Sequence, residues 1–177
     1  SSFTVGLLNA LYACQGVTVP KWEIAEEACD VEINEIGSPI GKQDQYAASL
    51  GGLNILRFRA NGSVDVDPLR VSKFTISAIE KKLRLYYLGG TRDANQLLKE
   101  QSSTTDRDKK VGLIKNMVSM VDQLKLSLEN ADVDAIGPAL HEAWVKKKEL
   151  SSAISSPKID EVYDFAMRNG AEGGKLL

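Results

Sequence analysis

Apolar residues in this chain recur mostly at intervals of three and four, the period of a helix with one buried face. Phe3, Leu7, Leu8 and Leu11 form the first such stripe, and Gly16 ends it. Pro20 suits the first turn of a second helix over 20–36, with Ala25, Ala28, Cys29 and Ile36 on one face. A short helix over 45–50, with Asp44 at its N-cap, is broken by Gly51-Gly52. The pattern then changes. Segments 53–60 and 63–66 flank Asn61-Gly62, a two-residue hairpin signal, and Asp67-Pro68 closes the hairpin.

Helices dominate the rest, with a domain boundary expected near residue 70. Thr75 would cap a helix running to Lys82. The run Leu83-Arg84-Leu85-Tyr86-Tyr87-Leu88 reads as a strand turned by Gly89-Gly90. A long helix over 104–130, capped by Thr105 or Asp106, carries Leu113, Met117, Val121, Leu124 and Leu128 inward. Asp132 or Asp134 would cap the next, with Ile136, Leu140, Ala143, Trp144 and Lys147 on one side. Ser156-Pro157 opens a last helix that points Ile159, Val162, Phe165 and Ala166 inward, and Asn169-Gly170 ends it. The reading is mixed α and β with several long helices.

One stretch departs from simple patterning. Residues 32–54 hold four glycines and a proline around the polar run Gly41-Lys42-Gln43-Asp44-Gln45. A carboxylate beside a lysine at the mouth of a helix can serve as a proton acceptor or an anion clamp. Glu32 lies seven places after Ala25, in the middle of an apolar stripe, whereas Glu35 falls off it. A carboxylate there needs a salt-bridge partner or a cation. Ser1 and Ser2 precede the first stripe, where they can cap free amides or help those amides hold phosphate. Thr91-Arg92-Asp93-Ala94, at a strand-to-helix junction, suits an anion or a simple Arg–Asp pair.

Composition narrows the options. The 177 residues suffice for one ordinary domain or two small ones. A formal charge of −2 gives no basic footprint for nucleic acid, and no apolar run is long enough for a membrane helix. One His and two Cys argue against a His/Cys metal site, so any metal would be a hard ion on oxygens. Cys14 and Cys29 read as two reduced core thiols, and the chain as cytoplasmic.

The run Gly-Ser-Pro-Ile-Gly-Lys-Gln-Asp-Gln-Tyr-Ala-Ala-Ser-Leu-Gly-Gly-Leu-Asn over 37–54 resembles the aspartate motif of the GHMP small-molecule kinases, most closely their heptose 7-phosphate kinase branch. Ser1-Ser2-Phe3-Thr4-Val5-Gly6 resembles the tail of that family's phosphate loop, and residues 169–177 the start of its last glycine motif. Thr91-Arg92-Asp93-Ala94 and Leu140-His141-Glu142-Ala143-Trp144 also resemble the heptose branch.

The resemblance implies an α+β fold of two lobes: a ribosomal-protein-S5-like N lobe, here 1–70, and a ferredoxin-like C lobe with an antiparallel sheet, here 71–177. Both ends would be incomplete, with the phosphate-loop glycines and the magnesium-binding serine outside these residues. It implies ATP and Mg2+ as cofactors and a small sugar phosphate as partner. Asp44, with Lys42, would be catalytic, and Glu32 would bind the metal. Ser1 and Ser2 would flank the nucleotide phosphates. Gln43, Gln45, Arg92, Trp144 and Lys148 would contact substrate, while His141 would be structural. A non-catalytic regulator that binds sugar phosphate or nucleotide, and an inert fragment, are the competing readings. Oligomeric state is not encoded in these motifs.

Overall fold

The computed structural model describes residues 1–89, 107–150 and 154–176. It divides into two compact units, Ser1–Leu69 and Arg70–Leu177.

The first unit runs α1 (Ser2–Cys14), α2 (Lys21–Cys29), a π-helical turn (Asp30–Glu35), α3 (Gln43–Leu50), β1 (Asn54–Phe58) and β2 (Val64–Pro68). The expected helix over 20–36 is therefore two pieces, with Pro20 just ahead of α2 and a widened turn at its end. Val5, Ile24 and Ala28 pack together with Leu8 and Val19. Ala25, Cys29 and Tyr46 form a second cluster against Ile33, Leu50, Leu56, Val64 and Val66. The hairpin thus covers one side of α2 and α3.

Several expectations change here. The stripe Phe3, Leu7 and Leu11 faces outward, and Phe3 is 80% exposed. α1 is apolar nearly all round, so its period selects no face; Ile24 and Ala28 of α2 select Val5 instead. Ile36 is exposed, because the π turn rotates it away from Ala25 and Ala28. Cys29 is a buried core thiol, pushed up to about 11 by burial, whereas Cys14 at the end of α1 is exposed; both are free.

The hairpin loop is three residues, not two. The Gly62 N–H donates to the Arg59 carbonyl at 3.0 Å, and the Arg59 N–H donates to Ser63 at 2.9 Å. Gly62 takes φ +87, and Asn61 Oδ1 accepts from the Ser63 N–H at 3.1 Å. The Asn61 side chain thus bonds forward and places Gly62 in the bulge position of a longer turn. Below it the strands pair antiparallel, with Leu56 opposite Val66 and Phe58 opposite Val64.

The second unit holds α4 (Lys73–Lys82), α5 (Arg107–Glu129), α6 (Ile136–Leu150) and α7 (Pro157–Arg168). Ser72, not Thr75, caps α4, accepting from the Thr75 N–H at 3.0 Å. Ser156 caps α7, with Pro157 in the first turn. α5 turns Leu113, Met117, Leu124 and Leu128 inward but leaves Val121 exposed. α7 turns in Ile159, Tyr163 and Ala166, with Val162 and Phe165 outside. Neither Asp132 nor Asp134 caps α6; Asp134 pairs with Lys82 instead.

The strand expected at 83–88 does not form, and no strand appears among the described residues of this unit. Leu85, Tyr86 and Tyr87 are at least 74% exposed. Composition favours an extended backbone there, but a strand exists only through a ladder partner, and none of the described residues supplies one. The caps expected at Thr105 or Asp106 lie outside the described residues.

Candidate active site

Three elements of the first unit converge on Glu32. The π-helical turn carries it, and the Ile36 N–H reaches back five residues to the Val31 carbonyl at 2.9 Å. That extra residue per turn swings Glu32 inward between the starts of α1 and α3, where it is 7% exposed. Such π insertions recur at functional sites because they re-aim one side chain without ending the helix.

Glu32 is surrounded by donors. Thr4 Oγ1 donates to Oε1 at 2.5 Å, and Gln45 Nε2 donates to Oε2 at 2.5 Å. Ser1 Oγ lies 3.2 Å from Oε2, and the Ser1 nitrogen 3.0 Å from Oε1. Burial works to raise the Glu32 pKa. Hydrogen bonds from Thr4 and Gln45 work to lower it.

The donor set is chemically suited to a hard cation. One buried carboxylate stands among two hydroxyls, from Ser1 and Thr4, with the Gln45 amide and the Ser1 nitrogen beside them and no His among its partners. No group of three or more His, Cys, Asp or Glu gathers anywhere among the described residues. Mg2+, which takes one or two carboxylates and completes its shell with water and substrate phosphates, fits this sparse arrangement.

Asp44 sits one residue before Gln45, in the first turn of α3. The cap position itself belongs to Lys42, with no side-chain cap bond, so Asp44 is the second helical residue rather than the N-cap. It is exposed. A carboxylate there is stabilised by the α3 amides and dipole while its oxygens remain available. Gln45 points the other way: it is fully buried, and its amide rests on Glu32 rather than facing solvent where a substrate would lie.

Lys42 reaches across to the hairpin, and its Nζ donates to the Gly62 carbonyl at 2.8 Å. Gly41, Lys42, Gln43, Phe58, Arg59 and Gly62 line a cleft of about 370 Å3 beside the start of α3. Arg59 pairs with Asp65. Ser2 is exposed at the start of α1.

The remaining candidates belong to the second unit. Trp144 is 1% exposed, and its indole N–H has no partner among the described residues. Lys148 Nζ lies 5.8 Å from the Trp144 ring centre and 3.3 Å from Asp160 Oδ1. In this arrangement Trp144 is a core residue and Lys148 its lid. His141 Nδ1 and the Tyr163 hydroxyl are 2.7 Å apart, a structural link. Arg92 lies outside the described residues.

Thr4 is the site residue the sequence concealed. A hydroxyl in the first turn of a helix reads as a cap. The available signal was its spacing, since Ser1 and Thr4 are three apart and share a helix face.

No protein-family model matches the chain. It is 30% identical over 175 residues to a D-glycero-alpha-D-manno-heptose 7-phosphate kinase of Campylobacter jejuni, covering 99% of this chain and 52% of that protein. Over 105 residues it is 30% identical to a bifunctional fucokinase/GDP-fucose pyrophosphorylase of Arabidopsis thaliana, covering 58% of this chain and 10% of that protein. The fold matches a crystal structure of a D-glycero-D-manno-heptose 1-phosphate kinase from Bacteroides thetaiotaomicron with a TM-score of 0.73 at 26% identity, covering 99% of this chain and 47% of that one. A candidate sugar kinase from Campylobacter jejuni matches with a TM-score of 0.65 at 27% identity, covering 99% and 49%. The chain thus spans about half the length of the heptose kinases it matches. By sequence and by fold the chain is similar to about half of a heptose phosphate kinase, and it is α+β in class.

Proposed function

We propose that the protein containing this chain is an ATP- and Mg2+-dependent sugar kinase that phosphorylates the anomeric hydroxyl of a heptose 7-phosphate or a similar sugar, acting in the cytoplasm. The observation that carries this reading is the pairing of two carboxylates in opposite environments. Glu32 is buried and hydrogen-bonded, and Asp44 stands exposed at the start of α3. Environments that separate two carboxylates also separate their roles.

Phosphoryl transfer asks little covalent chemistry of a protein; positioning and charge stabilisation supply most of the rate. Residues 1–70 act as part of the ATP-binding lobe, and 71–177 as the C-terminal lobe. Ser1, Ser2 and the free amides of α1 hold nucleotide phosphate. Glu32 would hold Mg2+, whose positive charge would offset that of the phosphates. Asp44 orients the sugar hydroxyl in line with the γ-phosphorus and takes its proton as the new O–P bond forms, the bond from that phosphorus to the ADP oxygen breaks, and ADP leaves. Lys42 and Gln43, at the cleft against the hairpin, contact the phosphate or sugar. Arg92, Trp144 and Lys148 are further candidates for contact with a sugar phosphate.

The test is ATP consumption by the intact protein with heptose 7-phosphate, mannose, galactose and mevalonate. Turnover confined to heptose 7-phosphate is expected. Turnover with another sugar moves the substrate and keeps the mechanism. Ligand binding with no turnover on any of the four would instead support a sugar-phosphate-binding regulator.

A further inference from the structure

Gln45 is fully buried, yet its carbonyl oxygen has no hydrogen-bond partner among the described residues. A buried polar atom left unpaired is costly, and a residue kept only for packing would be leucine or methionine. The amide is spent on one contact, Nε2 to Glu32 Oε2 at 2.5 Å. Its orientation is dictated by charge, since turning the amide over would set Oε1 against a carboxylate oxygen. Thr4 closes the other side, on Oε1 at 2.5 Å. Each oxygen of Glu32 is thus held by a neutral donor from a different helix.

We infer that Gln45 and Thr4 are positioning residues, a two-sided clamp that fixes the Glu32 carboxylate for a divalent cation and ties it to the turn that carries Asp44. The inference rests on Glu32 holding the cation, as in the reading above, and adds what aims it. Outer donors of this kind orient metal ligands, and their loss weakens metal affinity more than it weakens the fold. Because Gln45 follows Asp44 directly in α3, a shift of Glu32 also shifts the turn that presents Asp44. Neither residue touches substrate; both act through Glu32.

The experiment measures Mn2+ affinity of the intact protein by water-proton relaxation, with a non-hydrolysable ATP analogue present, alongside the melting temperature. Gln45→Met and Thr4→Val should each weaken Mn2+ binding by roughly 10–100-fold. Thr4→Ser, which keeps the hydroxyl, should bind as wild type. The melting temperature of Gln45→Met should change little, since the variant loses one hydrogen bond but also removes the unpaired oxygen. Wild-type affinity in both Gln45→Met and Thr4→Val would overturn the clamp, as would equal losses in Thr4→Ser and Thr4→Val. A wild type that binds Mn2+ and shows the predicted variant losses, yet phosphorylates no sugar, would overturn the kinase reading while upholding the clamp. A wild type that binds no Mn2+ overturns both.

Discussion

Asp44→Asn is expected to lower kcat of the intact protein by roughly 10²–10⁴-fold, the range that a positioned proton acceptor contributes. The substitution is nearly isosteric, and the side chain is exposed in the first turn of α3, so the fold should be preserved. Asparagine can still accept a hydrogen bond from the sugar hydroxyl but cannot take its proton or counter the positive charge around the phosphates. KM for ATP should therefore move little while kcat falls, the signature of an interaction made only in the transition state. Steady-state kinetics on matched preparations checks this. Unchanged kcat would assign Asp44 to helix-start stabilisation alone.

Gly173→Ala is expected to destabilise the second unit by about 3 kcal/mol, the upper part of the usual range for overpacking. A Cβ built on Gly173 falls 1.9 Å from the Gly137 carbonyl oxygen and 2.8 Å from the His141 nitrogen. Both obstacles are backbone atoms of α6 and its first turn, so no side-chain rotation relieves them. Gly137 shares the constraint, since a Cβ there would meet Glu172 Cβ at 2.5 Å. The two glycines let the segment after α7 lie directly on the start of α6. For a chain of this size the loss corresponds to a melting temperature lower by roughly 6–12 °C, which calorimetry reads directly. Gly112, whose added Cβ meets nothing within 4 Å, is the matched control and should tolerate alanine.

Part of this molecule was legible in the residue pattern, and the failures have specific causes. Glu32 stood out because a carboxylate seven places after Ala25 must be buried, and it is. What the pattern could not show was the π turn that aims it, since one extra residue in a helix leaves no compositional trace. α1 was read on the wrong face because both of its faces are apolar, and only α2 decides between them. Residues 83–88 have strand composition without a partner among the described residues, so propensity and pairing disagreed and pairing prevailed. Gln45 was read as a substrate contact because it adjoins Asp44. Consecutive helical residues point about 100° apart, so one faces solvent when the other meets Glu32. Of the helix ends, those of α7 were legible, whereas the caps expected at Asp44 and Thr75 fall at Lys42 and Ser72 instead. Pro157 after Ser156, and Asn169 with Gly170, act where their chemistry says they should.

The most direct measurement is phosphorus NMR of the intact protein incubated with ATP, Mg2+ and heptose 7-phosphate. The account predicts a new phosphate resonance coupled to the anomeric proton, growing in step with ADP, and its loss in Asp44→Asn. ADP formed without a sugar bisphosphate, or a phosphate appearing at another hydroxyl, would contradict it.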